Sequence, residues 1–351
     1  MKIPLYSKAA ILIKQKMPLT VGEIALPKSL YYGQVLVKVH FSGICGSQIG
    51  EIDGVKGEDK YLPHLLGHEG SGTVIKIGDG VKSVKEGDTV VLHWRRGEGI
   101  ESPTPFYSYK GSQVNAGWVT TFNNYSVVSE NRLTKLESDF DLVTAPLLGC
   151  ALTTGFGVVQ NDANLKIGES IVIFGSGGIG LSMIQAAKLR GAYPIIAIDQ
   201  FDGRLALAKE HGADFIINSS IIKDIKVTIL SIVKSNLDVF IDNTGVPEIM
   251  QLGYELINKS GRLVLVGVPR HDKKLTIHTL PLHFGKVIKG SEGGSSSPTI
   301  DIPKFSNLIK SSQLKINKQV TKVCKLIDIN DAISDMKTGH VNGRVIIELE
   351  D

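Results

Sequence analysis

The chain has 351 residues, of which 42% are hydrophobic and 21% charged, and this is ordinary for a globular enzyme of two domains. Its net charge of +4 is small for this length and argues against a dedicated nucleic-acid binder, which would carry a concentrated basic stripe. No stretch approaches the length of a membrane span, and the first residues lack a secretory signal. We therefore expect a cytoplasmic protein with neither nucleic-acid nor membrane partners.

From residue 1 to about 150, short β-rich segments are separated by turns that contain glycine. The segments "YGQVLVKVHFSGIC" and "GSGTVIKIGDGVKSVKEGDTVVL" are typical of a partly closed antiparallel domain. Trp94 follows the last of these strands and is predicted to line a substrate pocket, unless it belongs to the core. Arg95 and Arg96 come next and are either a solvated pair or a clamp for an anionic group of the substrate.

Three cysteines, Cys45, Cys150 and Cys324, are too few and too widely spaced to suggest a disulfide framework. Cys45 lies in "GICGSQ", His68 in "LGHEGSG" and Cys150 in "LLGCALTTGFG". Two thiolates and one imidazole form a ligand set that zinc favours, and three protein ligands leave a fourth position open for water or substrate. Taken singly, each residue is better explained as a buried cysteine or a surface histidine, since the spacing proves nothing.

A glycine-rich segment, "GSGGIGLSMIQAAK", follows the apolar run "IVIF" and opens a helical pattern. In a dinucleotide fold, Gly175 would form the turn, Gly177 would let the pyrophosphate approach the backbone, and Gly180 would let the helix pack on the strand. The positive end of the helix would then face the phosphates. Gly178 lies inside the same motif.

About twenty residues further on, the strand candidate "IIAID" ends with Asp199. A carboxylate at this position accepts hydrogen bonds from the ribose hydroxyls of NAD and repels the 2′-phosphate of NADP. Arg204 is predicted to lie beside the same ribose, where it would partly offset this repulsion. The alternative is a glycine turn that binds nothing, with Asp199 as a helix cap.

Between about 155 and 290, apolar strand candidates alternate with helical stretches, and this alternation predicts a parallel, doubly wound α/β sheet. The segment "GGSSSP" at 293–298 is predicted to be a flexible connection. The last sixty residues contain two helix candidates and one strand, which is too little for a core of their own. We expect them to return to the first domain.

In combination, these segments resemble the zinc-containing alcohol dehydrogenases of the medium-chain dehydrogenase/reductase superfamily. Four motifs carry the resemblance in the family's order along nearly the whole chain: "GICGS" at Cys45, "GHEGSGTV" at His68 and Glu69, "GCALTTGFG" at Cys150, and "GSGGIG" with Asp199. The resemblance implies a GroES-like β-rich catalytic domain, residues 1–153 and 291–351. It also implies a Rossmann NAD-binding domain inserted at 154–290, and a homodimer or homotetramer.

The resemblance also implies catalytic roles. Zinc held by Cys45, His68 and Cys150 would lower the pKa of an alcohol, which can then release hydride to the nicotinamide. Ser47 would take the proton of the alcohol, and Glu69 would lie behind the zinc as a supporting acid or an alternate ligand.

On the coenzyme side, the resemblance implies that Thr154 supports the nicotinamide, that Gly267 and Val268 offer backbone contacts to the carboxamide, and that Arg344 binds the pyrophosphate. Together with the residues named above, the predicted NAD(H) contacts are Thr154, Gly175, Gly177, Gly178, Ile179, Gly180, Asp199, Arg204, Thr244, Gly267, Val268 and Arg344.

The chain departs from the family in two ways. No cysteine lies between Cys45 and Cys150, so the four-cysteine lobe that holds a structural zinc in many relatives is absent, and we expect one catalytic zinc per subunit. Gln48 replaces the usual aspartate that supports the zinc-binding histidine. Gly50 and Glu51 occupy the place of a histidine that passes protons to solvent in some relatives, so water or Glu51 would take this role.

The favoured hypothesis is therefore a zinc- and NAD-dependent alcohol dehydrogenase or carbonyl reductase, acting on a sugar, polyol or aromatic alcohol. One alternative is a zinc-free reductase of activated double bonds on the same fold. Another is a non-enzymatic dinucleotide-binding protein. The joint presence of the three ligands, Ser47 and Asp199 argues against both.

Overall fold

The computed structural model describes residues 3–234 and 236–349 and divides the chain into two compact units. Unit 1 comprises Met1–Cys150 and Ser297–Asp351, and unit 2 comprises Ala151–Ser296. The interrupted arrangement agrees with the sequence-based prediction, although the borders lie a few residues from the predicted 153/154 and 290/291. In the described part of the chain, no helix is both long and apolar enough to span a membrane.

Hydrogen bonds explain why the second border lies after Ser296. The hydroxyl groups of Ser291 and Ser295 donate to the carboxylate of Asp162, at 2.6 and 2.7 Å, and the side-chain amide of Asn161 donates to the carbonyl of Gly294. Residues 291–296 are thus fastened to unit 2. The predicted flexible connection in this segment is instead a short 3₁₀ turn with buried glycines.

Unit 1 is built mainly from β-strands, with short helices at its edges. Its strands are β1 (Tyr6–Leu12), β2 (Thr20–Ala25), β3 (Gln34–Gly43), β4 (His64–Leu65), β5 (Glu69–Ile77), β6 (Thr89–His93), β7 (Phe106–Tyr109), β8 (Ser112–Asn115), β9 (Tyr125–Ser129) and β10 (Leu133–Lys135). The first three α-helices of the chain are α1 (Gly46–Ile52) and α2 (Pro146–Gly149) in unit 1, and α3 (Ala151–Gly157) in unit 2.

Unit 2 alternates strands and helices. Its strands are β11 (Ile171–Phe174), β12 (Ile195–Asp199), β13 (Phe215–Asn218), β14 (Leu237–Asp242), β15 (Ile257–Leu265) and β16 (Val287–Gly290). Its other helices are α4 (Gly178–Leu189), α5 (Asp202–Glu210), α6 (Ile225–Val233) and α7 (Pro247–Leu256). The chain then returns to unit 1 with α8 (Pro298–Lys310), β17 (Val320–Lys325), α9 (Ile329–Thr338) and β18 (Arg344–Glu348).

The strands of unit 1 form a closed barrel, β1-β2-β7-β8-β4, and a seven-stranded sheet, β10-β6-β5-β3-β18-β17, in which β9 also pairs with β3. Strand β3 is buried on both faces: Val35 and Val37 pack in one hydrophobic cluster, whereas Leu36 packs in another. This follows from the two-residue period of a strand. Because β18 pairs with β3, the C-terminal segment completes the sheet of unit 1, as the sequence predicted.

The six strands of unit 2 are all parallel, in the order β13-β12-β11-β14-β15-β16. The apolar residues of the central strands β11, β12 and β14, including Val172, Ile196 and Phe240, are buried, as expected for a parallel sheet covered by helices. The strand order reverses between β11 and β14, and in such folds the ligand lies at the carboxyl ends of the strands at this point.

Candidate metal and coenzyme sites

The three predicted metal ligands meet in unit 1. Cys45 directly precedes α1, His68 precedes β5, and Cys150 lies between α2 and α3. The two sulfur atoms are 4.0 Å apart, and Nε2 of His68 is 3.3 Å from the sulfur of Cys150. All three ligand atoms lie within 4.8 Å of one another.

This donor set fits zinc. Zn–S bonds of about 2.3 Å and Zn–N bonds of about 2.0–2.1 Å at tetrahedral angles require ligand atoms roughly 3.5–3.8 Å apart. The two separations that involve Cys150, 4.0 Å to Cys45 and 3.3 Å to His68, lie within half an ångström of these values. Both cysteines are buried, whereas His68 is partly exposed, so the group is open on one side.

Mutual contacts shift the ionisation of the three ligands. The hydrogen bond with Cys150 lowers the pKa of Cys45 well below its usual value, and the same contact raises the pKa of Cys150. Burial alone would lower the pKa of His68, but the hydrogen bond and the charge of Cys45 more than offset this and raise it. Thiolate is the form of cysteine that binds a metal, so the lowered pKa of Cys45 suits a metal ligand.

Gln48 supports His68. The side-chain amide is oriented with its oxygen towards hydrogen-bond donors. This oxygen accepts hydrogen bonds from Nδ1 of His68 at 3.2 Å and from the backbone N–H of Gly67 at 2.8 Å. A hydrogen bond at Nδ1 fixes the tautomer in which Nε2 is free to bind a metal. Gln48 thus makes the contact expected of the family's aspartate, without its charge.

Glu69 and Arg344 form a buried ion pair beside the ligands. Nη2 of Arg344 is 3.4 Å from Oε2 of Glu69, and Nη1 donates to the carbonyl of Ile44 at 3.0 Å. Both side chains are less than 5% exposed. Arg344 was predicted to bind pyrophosphate; in the structure its guanidinium is enclosed in unit 1 between Glu69 and the carbonyl of Ile44. The sequence alone does not reveal this ion pair, because its two residues are 275 positions apart.

Two other predicted residues lie near the ligands. The ring of Trp94 is 6.4 Å from the ring of His68, measured between centroids. Ser47 is exposed on the first turn of α1, two residues from Cys45. Cys324 lies in β17, and its partly buried thiol belongs to neither candidate ligand group.

A second group of ligand-type residues was not predicted. Glu51, Asp59 and His64 have their ligand atoms within 4.8 Å of one another. His64 already has partners on both ring nitrogens, Asp59 at 2.7 Å and the carbonyl of Leu65 at 2.8 Å. These hydrogen bonds of the buried His64 explain why the three side chains lie close together, so no metal site is inferred here.

The glycine turn of unit 2 has the geometry that the motif requires. Gly175 has φ +100°, a conformation that favours glycine. A Cβ on Gly180 would lie 2.1 Å from the carbonyl oxygen of Gly175, so helix and turn can approach only without a side chain. A Cβ on Gly177 would meet no atom within 4 Å, and the space beside it is open. Gly178 and Ile179 form the first turn of α4.

Asp199 ends β12 beside this turn. Its carboxylate accepts hydrogen bonds from the backbone N–H groups of Ser176 and Gln200, each at 2.8 Å. Nη1 of Arg204 is 3.8 Å from the same carboxylate, so the two predicted ribose-binding residues are neighbours. These contacts fix the carboxylate at the carboxyl end of the strand.

The other predicted coenzyme residues of unit 2 also follow strand ends or lie on α3. Thr244 follows β14 and bonds to Asp242, and a Cβ on Gly267 would lie 2.1 Å from the backbone nitrogen of Gly245. Val268 is 54% exposed at the same edge. Thr154 on α3 is buried, and its hydroxyl has no hydrogen-bond partner among the described residues.

Comparison with known proteins agrees with this geometry. The family model "Alcohol dehydrogenase GroES-like domain" matches residues 32–138, and "Zinc-binding dehydrogenase" matches residues 178–311. An S-(hydroxymethyl)glutathione dehydrogenase of Escherichia coli O1:K1 / APEC is 32% identical and covers 95% of this chain and 97% of its own.

The chain belongs to the zinc-type alcohol dehydrogenases of the medium-chain dehydrogenase/reductase superfamily. Membership implies zinc and NAD as cofactors and a reaction at CH–OH groups.

Two solved structures of the family are also similar. Benzyl alcohol dehydrogenase from Acinetobacter calcoaceticus has a TM-score of 0.88 at 28% identity and covers 98% of this chain and 99% of its own. 2R,3R-butanediol dehydrogenase from Bacillus subtilis has a TM-score of 0.79 at 26% identity and covers 97% of this chain and 99% of its own.

Proposed function

We propose that this dehydrogenase oxidises an alcohol with NAD⁺, or reduces the matching carbonyl compound with NADH, at the group formed by Cys45, His68 and Cys150. The observation that carries the proposal is the convergence of these residues to within 4.8 Å from three separate parts of the chain. No observation favours a zinc-free reductase or a non-enzymatic role.

Each side chain near the ligands has a defined task. Zinc, when bound, supplies the Lewis acidity that makes the alcohol proton easier to remove. Oγ of Ser47 accepts this proton and passes its own proton outward. Glu51 lies four residues further along α1, on the same helix face and partly exposed, and is suited to release the proton to solvent. Gln48 holds the tautomer of His68, and Arg344 compensates the charge of Glu69.

The coenzyme preference is for NAD(H). The turn at Gly175–Gly180 and the N-terminus of α4 would hold the pyrophosphate, and Asp199 would bind the adenosine ribose. Thr154, Thr244, Gly267 and Val268 would contact the nicotinamide half. A 2′-phosphate would meet the negative charge of Asp199, which favours NAD over NADP.

We further propose one zinc per subunit. The chain has only three cysteines, and two of them belong to the group described above. Because these thiols must stay reduced to bind zinc, a cytoplasmic location suits the protein.

The substrate is proposed to be an alcohol with a flat or bulky group that contacts Trp94. The relatives act on S-(hydroxymethyl)glutathione, benzyl alcohol or 2R,3R-butanediol, by their names. We would assay these three compounds, together with a sugar alcohol, through the absorbance of NADH. We expect at least one to be oxidised by the wild-type protein and none by Cys150→Ala. The absence of alcohol-dependent NADH formation across the panel would contradict the proposal.

The subunits are proposed to form a homodimer or homotetramer. Strand β16 lies at the end of its sheet, and apolar side chains near it are 44–70% exposed: Leu280, Phe284 and Val287. An edge strand with exposed apolar neighbours is suited to pairing with a second copy. Light scattering should give at least twice the 37.9 kDa mass of the chain, and a monomer at micromolar concentration would contradict this.

A further inference from the structure

A surface cavity of about 700 Å³ lies within unit 1 and is lined by residues between Arg96 and Arg132. Its volume is in the range of small-molecule sites, roughly 300–1,000 Å³. The side chains that matter most for its chemistry are Arg96, Glu101, Phe106, Trp118 and Arg132. None of them belongs to the metal or coenzyme sites.

Arg132, which lines this cavity, is held in place by hydrogen bonds. Arg132 forms two hydrogen bonds of 3.0 Å with the carboxylate of Glu101 and a third with the carbonyl of Trp94. Asn131 donates a further hydrogen bond to Glu101 at 3.1 Å. Arg132 is only 5% exposed, so its charge is neutralised and its position is fixed.

Two aromatic rings, those of Phe106 and Trp118, also line the cavity. Trp118 is 60% exposed and Phe106 is 58% exposed, although both line a concave surface. The guanidinium of Arg132 lies 4.7 Å from the ring centroid of Trp118 and holds the ring from one side. A large ring that is held in place yet exposed to solvent, as Trp118 is, offers apolar area to a ligand at little entropic cost.

The cavity also carries an uncompensated positive charge. Arg96 is exposed, and among residues 3–234 and 236–349 no carboxylate forms an ion pair with it. The nearby Glu101 is engaged by Arg132. Arg95, the next residue along the chain, has its guanidinium 5.7 Å from the ring of Trp94 and does not line the cavity. Arg96 therefore lines the cavity, whereas Arg95 contacts the ring of Trp94.

We propose that this cavity binds a small planar aromatic carboxylate. The ring of the ligand stacks on Trp118 and Phe106, and its carboxylate pairs with the guanidinium of Arg96. This site is separate from the proposed oxidoreductase chemistry and does not depend on it.

The test is a titration with benzoate, with benzamide and cyclohexanecarboxylate as matched probes that lack the charge or the aromatic ring. The chain has two tryptophans, so Trp94→Phe leaves Trp118 as the only one and makes its fluorescence a local reporter. We expect saturable quenching by benzoate that weakens at high salt, with each matched probe binding about tenfold more weakly. No saturable quenching by benzoate, or equal binding of benzamide, would overturn the proposal.

Arg96→Gln in the same background should weaken benzoate binding about tenfold, whereas the matched control Arg95→Gln should leave it unchanged. Metal content and the thermal unfolding midpoint verify that both variants are folded. Unchanged affinity in Arg96→Gln, including the case in which benzoate binds at the metal ligands instead, contradicts the assignment.

Discussion

Ser47 is exposed on the first turn of α1, and no backbone atom in its helix requires its hydroxyl as a cap. Its removal should therefore affect proton transfer more than folding. We expect Ser47→Ala to lower kcat for alcohol oxidation by about a hundredfold, which is typical for the loss of an acid–base group. The Kd for NADH should stay unchanged. An unchanged kcat at pH 7, measured under conditions in which chemistry limits turnover, would exclude the role.

Asp199 is held by backbone N–H groups at the end of β12, so its charge stands at a fixed position. Asp199→Ala removes this charge and leaves Arg204 nearby. The ratio of kcat/KM for NAD⁺ to that for NADP⁺ should fall by about tenfold or more, because repulsion of the 2′-phosphate is lost. If the wild-type protein already prefers NADP⁺, the proposed ribose contact is wrong.

His93 is buried at the end of β6, where it contacts the carbonyl of Arg95 at 2.7 Å and the hydroxyl of Thr134 at 2.9 Å. Burial is the main cause that lowers the pKa of His93 to about 4. The unfolded chain therefore takes up this proton first as the pH falls below about 6.5. The free energy of unfolding should decrease by about 3 kcal/mol between pH 6.5 and pH 4 from this residue alone.

Urea unfolding of the wild type and of His93→Asn at several pH values measures this contribution. The asparagine can still donate to the carbonyl of Arg95 but does not titrate. The variant should lose part of the pH dependence between pH 6.5 and 4, while its stability at neutral pH falls modestly. Parallel pH profiles for the two proteins would show that His93 contributes nothing.

At the residue scale, the sequence was sufficient to predict functional residues that lie in a recognisable motif. Cys45, His68 and Cys150 were predicted, and the structure brings their ligand atoms together. Partners that come from distant segments could not be predicted. Arg344 and Glu69 are 275 residues apart in the chain, and they meet because β18 and β5 both pair with β3.

Among the elements, the turn before α4 allows opposite predictions for two of its glycines. A Cβ on Gly180 would collide with the carbonyl of Gly175, whereas one on Gly177 would meet open space. We expect Gly180→Ala to lower the free energy of unfolding by about 1–3 kcal/mol, the usual effect of overpacking. Gly177→Ala should leave stability unchanged yet weaken NADH binding, because the pyrophosphate is proposed to lie there. Thermal unfolding and NADH titration separate the two effects.

If Gly177→Ala binds NADH as tightly as the wild type, the pyrophosphate does not approach that backbone. Equal stability of Gly180→Ala and the wild type would mean that α4 does not pack as closely against the carbonyl of Gly175 as described.

Elements with regular patterns were predictable from the sequence. The apolar runs of β11 and β12 and the helical pattern of α4 appear in the structure as expected. The segment Gly293–Ser295 was not, because its composition is that of a flexible connection. Its order comes from hydrogen bonds to Asp162, which lies about 130 residues earlier.

At the scale of the whole molecule, the interrupted domain order was predicted from one physical argument. The last sixty residues could not bury a core alone, and in the structure β17 and β18 extend the sheet of unit 1. The closed five-stranded barrel was not predicted, because strand pairing between distant segments such as β1 and β4 leaves no local signal.

The central claim is that alcohol oxidation depends on one zinc held by Cys45, His68 and Cys150. Its most direct test is the rate of alcohol-dependent NADH formation, measured while zinc is returned in known amounts to metal-free protein. We predict that activity rises in proportion to bound zinc and reaches its maximum at one equivalent per chain. Full activity of the metal-free protein, or a requirement for a second equivalent, would contradict this account.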